Sequence, residues 1–286
     1  QKEIWHYPTK VQSSRLKDFG YYLPTMKKLV LSTLALAFAT ASFAQSIAPS
    51  NLEQMKFRNI GPAGMSGRVT SIDVNPLNDN HIYIGTASGG VWVSENAGQS
   101  WTSIWDDQPT AGIGAVKVDP TNPDVIWVGT GEGNPRNSQS SGGGLFKSVD
   151  GGKSFQLVGL KETKHIHRIV VDPRNPNTVY VAAIGVAWGD SPHRGVYKTT
   201  DGGKTWSKVL YNNERTGAAD LVMDPVNPNK LICAMWEYRR WPWVFKSGGE
   251  GSGMYVTLDG GETWTKRTSE DGLPEGELGR MGIAIA

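Results

Sequence analysis

From residue 68 onward the chain alternates short apolar runs with clusters of Asn, Asp, Gly and Pro. Runs such as VTSIDV, HIYIGT, VIWVGT, TVYVAA and GVYKT span five or six residues and favour Val, Ile, Tyr, Trp and Thr. That length and composition predict β-strands, either alternating or buried on both faces. No stretch after residue 44 carries a convincing helical period, so the expected class is all-β.

The runs recur in a fixed order. Four segments align: Ser94–Trp101 (SENAGQSW), Ser148–Phe155 (SVDGGKSF), Thr199–Trp206 (TTDGGKTW) and Thr257–Trp264 (TLDGGETW). Their third positions, Asn96, Asp150, Asp201 and Asp259, lie 54, 51 and 58 residues apart. An Asx-Pro landmark precedes each, at Asn75, Asp119, Asp172 and Asp224. Each unit reads as inner strand A, an Asx-Pro turn, strand B, a connector, strand C, a Gly-rich turn and outer strand D. Four antiparallel strands per ~50 residues predict a propeller blade. The blades are expected over about 68–106, 114–160, 166–212 and 219–268.

The Gly-rich turn needs no catalysis to explain it. An Asx side chain can accept backbone N–H bonds, and glycine supplies positive φ. The ring that follows (Trp101, Phe155, Trp206, Trp264) can pack between blades. The pattern is the Asp-box. With Phe57–Val69, Gly85–Trp92, Gly129–Ser138 and Thr216–Pro225, it resembles bacterial Asp-box propellers related to the N-terminal domain of sortilin. The resemblance covers essentially all of the mature chain. It implies a β-propeller of four-stranded antiparallel blades, and says little about function.

Lys56–Ile60 falls in an outer-strand slot with no inner strands ahead of it, and Arg280–Ala286 begins a further inner strand. A propeller closes by sharing strands between its ends. Four whole blades within a larger ring are therefore expected.

Met26–Gln45 (MKKLVLSTLALAFATASFAQ) has a basic start, an apolar stretch at Leu29–Thr40 and small residues at Ser42 and Ala44. This is the layout of a signal peptide cut before Gln45, which predicts a secreted or periplasmic protein. Its apolar stretch is short of the ~20 residues that span a bilayer, and no later segment is apolar enough to do so. Residues 1–25 read as a non-native upstream extension, and 45–286 as the propeller. The formal charge of +2 loses Lys2, Lys10, Arg15, Lys17, Lys27 and Lys28 against Glu3 and Asp18. The mature chain is left slightly acidic, which removes the electrostatic case for nucleic acid. One cysteine, Cys233, excludes a disulfide framework and a Cys-rich zinc site. It reads as a small buried hydrophobe. No cofactor or metal is expected.

The distance from the Asx-Pro landmark to the Asp-box position is 21, then 31, 29 and 35 residues, so the B–C connectors carry the inserts. Loops grafted on a rigid scaffold are where binding groups tend to lie. The inserts are Gly131–Gly143, Ile184–Arg194 and Trp236–Gly253, and they nominate Arg136, Trp188, His193, Arg194, Tyr238, Arg239, Arg240, Trp241 and Trp243 as ligand contacts. Aromatic faces stack on sugars or apolar side chains, and Arg pairs with carboxylates. His165 and His167 share one side of a strand; a structural role is expected because no third ligand is near in sequence.

Two functions compete. One is a recognition scaffold for a peptide, protein or glycan. The alternative is a glycoside hydrolase of sialidase or xyloglucanase type, with catalytic carboxylates partly outside this chain. Glycoside hydrolysis uses two carboxylates flanking one bond. Glu132 and Asp190 are the nominated carboxylates, with Glu237 and Glu250 on the same face. Likeness to xyloglucanases around GTASGG places Ala87 where they would be expected to carry a catalytic Asp, and Phe57–Pro62 only loosely echoes a sialidase pattern. The scaffold is the preferred expectation.

Overall fold

Every residue of the run Ile126–Thr130 is buried, yet its side chains go to different places. Ile126 and Val128 join one apolar cluster, while Trp127 joins another. Successive side chains of a strand leave opposite faces, so a strand packed on both sides reads as continuously apolar. The same sorting recurs at Val179–Ala183, where Val179, Val181 and Ala183 face one neighbour and Tyr180 and Ala182 the other.

The structure, a computed structural model, describes residues 68–285. The readings of residues 1–44 and 56–60 lie outside the described residues. Four antiparallel sheets follow one another along the chain. The first holds β1 (Val69–Asn75), β2 (Asn78–Thr86), β3 (Val91–Ser94) and β4 (Thr102–Ser103). The second holds β5 (Ile113–Val118), β6 (Ile126–Thr130), β7 (Leu145–Ser148) and β8 (Gln156–Gly159). The third holds β9 (Ile166–Val171), β10 (Val179–Ala183), β11 (Gly195–Thr199) and β12 (Ser207–Leu210). The fourth holds β13 (Thr216–Met223), β14 (Leu231–Trp241), β16 (Gly253–Thr257) and β17 (Thr265–Lys266), with β15 (Val244–Ser247) paired to β14 alone. Inner strands β1, β5, β9 and β13 pack in succession. The architecture is the expected β-propeller, with each apolar core lying between two blades.

The Asp-Gly-Gly turns are closed by their own side chains. Ser148, Thr199 and Thr257 hydroxyls donate to Asp150, Asp201 and Asp259 at 2.7, 2.7 and 2.6 Å. They also accept the Gly152, Gly203 and Gly261 amides. The hydroxyl of Ser154 holds the Asp150 carboxyl down at about 2, and those of Thr205 and Thr257 hold Asp201 and Asp259 well below the usual carboxylate range. At each second glycine φ is positive, 87° at Gly152 and 96° at Gly203, which glycine adopts freely.

The preceding blade grips these turns. A Cβ on Gly203 would lie 3.1 Å from the Trp127 ring, and Lys147 stands 4.4 Å above that ring while donating to the Gly202 carbonyl. One blade on, the Tyr180 hydroxyl donates to the Gly260 carbonyl at 2.7 Å and Lys198 pairs with Glu262. Phe155, Trp206 and Trp264 pack against the inter-blade cores, whereas Trp101 is more exposed and donates to the Gly98 carbonyl.

Two sequence expectations change. The third insert is not a loop. β14 runs on to Trp241 and turns through Pro242 and Trp243 into β15, because the alternation of the insert suits a ladder. Residues 280–285 form no strand. Among the described residues no strand flanks them on the outer side, and the Ile283 amide is taken instead by the Asp220 carboxylate at 3.0 Å.

Candidate functional site

The β14–β15 hairpin separates its residues by parity. Arg240 pairs across from Phe245 and Tyr238 from Ser247, while Arg239 faces Lys246 and Trp241 faces Val244. On the first side Trp236 and Tyr238 stack at 4.5 Å, Phe245 meets Trp236 edge-on, and Arg240 lies over Phe245. The other side presents Glu237, Arg239, Trp241 and Lys246, which together with Asp190 and Arg215 line a cleft of 480 Å³. An adjoining cleft shares Asp190, Arg215, Glu237 and Lys246 and adds Asn213, Glu214, Glu250 and Glu277.

The two carboxylates central to the cleft differ in environment. Asp190, half-exposed, meets Arg239 Nη1 at 3.2 Å and Arg215 Nε at 3.6 Å. Glu237 is buried; it accepts the Gly251 amide at 3.0 Å and pairs with Lys246 at 3.4 Å. Its own amide donates to the Ser252 hydroxyl. The Gly-rich run 248–253 closes on this acid at Gly249, where a Cβ would lie 2.5 Å from the Glu237 carboxyl. Trp241 offers a ring at the cleft wall, with Arg239 5.4 Å from its centroid. The arrangement combines an aromatic face with acids and cations that can hydrogen-bond a polyhydroxylated ligand.

The other candidates are scattered. Glu132 is fully buried and gives both oxygens to Arg68, at 3.0 and 2.5 Å, so as a catalytic candidate it is corrected to an inter-blade clasp. Arg194 is also corrected: it is fully buried, donates to the Ile184, Val186 and Gly189 carbonyls, and lies over the Tyr238 ring, so it organises its insert rather than meeting a ligand. Tyr238 is buried, with its hydroxyl on the Gly185 carbonyl at 2.6 Å. Its ring is therefore held inside the insert. Arg240 donates to Asn137 at 2.5 Å, tying the hairpin to the blade-two insert. Arg136 and His193 are exposed, as are Trp188 and, at the hairpin tip, Trp243.

His165 and His167 are buried. Burial pushes the first down to about 4 and the second well below the ordinary histidine range, aided there by Arg168 and Arg280. Both are therefore neutral imidazoles near pH 7. Cys233 is buried and burial pushes its thiol up. Arg215 and Lys246 were not among the sequence candidates. Lys246 joins Arg239 only through the β14–β15 pairing that the structure shows, and Arg215 lies in a connector without a motif.

Residues 143–271 match the family model described as Sortilin, neurotensin receptor 3 (Sortilin-Vps10). The repeat is sortilin-like. Beyond it, this sortilin-like chain is 28% identical over 296 residues to a xyloglucanase from Paenibacillus sp., covering 91% of this chain and 27% of the relative. An oligoxyloglucan-reducing end-specific xyloglucanase from Emericella nidulans is 24% identical over 245 residues, covering 74% of this chain and 28% of the relative. Among solved structures, a GH74 enzyme from Niastella koreensis aligns with TM-score 0.52 at 26% identity, over 69% of this chain and 29% of that one. An ancestral GH74 enzyme aligns with TM-score 0.54 at 23% identity, over 71% of this chain and 26% of that one, a likeness of fold. The sortilin-like chain thus spans less than a third of the length of these proteins. No helix of the described residues is long and apolar enough to cross a membrane.

Proposed function

We propose that the chain is part of a propeller that acts on a glycan of the xyloglucan class as a glycoside hydrolase, with the blade-four cleft as one wall of its substrate path. The observation that carries this reading is the cleft itself, where Trp241, Asp190 and Glu237 converge in a chain whose relatives are named xyloglucanases. In this reading Trp241 stacks on a sugar ring and Arg215, Arg239 and Lys246 bind hydroxyls and orient the two carboxylates. Asp190 and Glu237 are the acids nearest the bond to be broken. The propeller supplies rigidity to the wall formed by Glu237, Arg239, Trp241 and Lys246, which lie on β14 and β15. The leader at Met26–Ala44 supports action outside the cytoplasm.

A second reading, recognition of a glycan, peptide or protein without cleavage, draws on Ala87. This residue stands where xyloglucanases would be expected to carry an acid, and its methyl is buried. Incubation of the purified protein with xyloglucan oligosaccharides, reading both calorimetric binding and release of new reducing ends, separates the two. Reducing ends that vanish in Asp190→Asn or Glu237→Gln support hydrolysis. Binding lost in Trp241→Ala, with no reducing ends from the parent protein, supports recognition. Neither binding nor turnover overturns both.

A further inference from the structure

Away from the blade-four cleft, the inner strands carry a second charged cluster. Each has a register shift near its start, leaving Thr70, Gly114, His167 and Ala219 outside the regular pairing. Bulges bend a strand and re-aim side chains. Beside these positions stand Arg68, Arg168 and Asp220, joined by Arg280 from the final segment.

The charges there do not balance. Arg68 occupies both oxygens of Glu132. Arg168 donates Nε to Asp220 Oδ1 at 2.8 Å and Nη1 to the His167 carbonyl at 3.1 Å, and the Ile283 amide takes Asp220 Oδ2. Both acids of the cluster are thereby engaged. Among the described residues Arg280 meets neutral groups: Nη1 donates to Asn134 and Nη2 to His167 Nε2, each at 2.7 Å, and its guanidinium lies over the Trp236 ring. Burial and the nearby Arg168 push the Arg280 guanidinium down, and His167 is neutral. Among the described residues two cations therefore share one carboxylate at this corner, and one positive charge is left over.

Because Arg280 donates to His167 Nε2, the imidazole proton resides on Nδ1. That buried Nδ1 has no hydrogen-bond partner among the described residues. It faces the bare Cα of Gly133, where a Cβ would lie 2.1 Å away. The corner thus sets two guanidiniums around a neutral imidazole, and both arginines reach solvent. Each guanidinium carries five N–H donors, of which the contacts named above use two.

We propose that the Arg168–His167–Arg280 corner is an anion site that takes a single carboxylate, as on an acidic sugar or a small organic acid. A carboxylate matches both the one unbalanced charge and the planar fork of arginine. The proposal does not rest on the role proposed for the blade-four cleft in glycan hydrolysis.

The test is calorimetric titration of the intact chain with glucuronate and, as the matched neutral sugar, glucose, at low ionic strength. Glucuronate should bind saturably, glucose should not, and acetate should displace glucuronate. Arg280→Gln should weaken glucuronate at least ten-fold, Arg280→Lys should weaken it less, and Glu237→Gln should leave it unchanged. Equal binding of both sugars, glucuronate that acetate cannot displace, or no binding of glucuronate would overturn the site. Unaltered affinity in a folded Arg280→Gln variant would do the same. Should that variant fail to fold, loss of glucuronate binding to the parent chain on raising salt supports the site, and salt-independent binding overturns it.

Discussion

Trp127→Ala tests whether the Asp-Gly-Gly turns are sockets for the neighbouring blade. The ring is fully buried on β6, lies edge-on to Trp206 with centroids 6.4 Å apart, and touches the Gly203 turn of the next blade. Among the described residues its Nε1 has no partner, so truncation forfeits the packing of the ring and the Lys147 contact above it. Removing a buried aromatic side chain to Ala costs roughly 3–5 kcal/mol. For a folded unit of this size that lowers the thermal midpoint by roughly 6–20 °C. Urea denaturation followed by far-UV circular dichroism reads the first quantity. Hydrogen exchange reads the location: the Gly203 amide, held by Thr199, should lose protection while Gly152 keeps it. The control is Trp243→Ala at the exposed hairpin tip, expected within about 0.5 kcal/mol of the parent. A loss below about 1 kcal/mol in Trp127→Ala, or equal losses in the two variants, would refute the socket.

Asp201→Asn should destabilise less than Asp201→Ala, because the first blade already uses Asn96: its Oδ1 accepts from Ser94 and the Ser100 amide, and its Nδ2 donates to the Ser100 hydroxyl. Parallel melting curves give the order, and an Asn variant as weak as the Ala one would contradict it. Arg194→Met should loosen the blade-three insert and cost at least about 2 kcal/mol, since unpaired buried carbonyls cost roughly 1–3 kcal/mol each. Limited proteolysis should then cut between residues 184 and 194, and an insert as resistant as the parent's would show that the guanidinium is dispensable.

The fold was legible because the repeat marks both ends of its strands. Asx-Pro landmarks fix where strand A stops, and the Asp-Gly-Gly turn fixes where strand C stops, so short strands fall into place between them. The site was legible only in part. Inserts are visible as extra length, yet length does not distinguish a loop from the hairpin that β14 and β15 form within Trp236–Gly253. Burial also escaped the sequence. Glu132 and Arg194 look like surface groups in polar inserts, but Glu132 found a long-range partner in Arg68, 64 residues away, and Arg194 found nearby carbonyls. Pairings of that span follow from inter-blade geometry, which no local pattern encodes.

The blade-four cleft follows from one strand outrunning its blade. β14 has eleven residues where β6 and β10 have five. It pairs with β16 as far as Met235 and with β15 from Tyr238 onward. The side-chain alternation that sorts core residues between two blades therefore continues beyond them. There one face still packs, as Trp236 and Tyr238 stack, while the other, carrying Glu237, Arg239 and Trp241, forms the cleft wall. Changing partner strands requires a tight return path, which Gly248–Gly253 provides while leaving Glu237 ringed by backbone. Placing the acid on a paired strand fixes its direction more firmly than a loop could. An insert of this kind adds a site without disturbing the turns that hold the blades together.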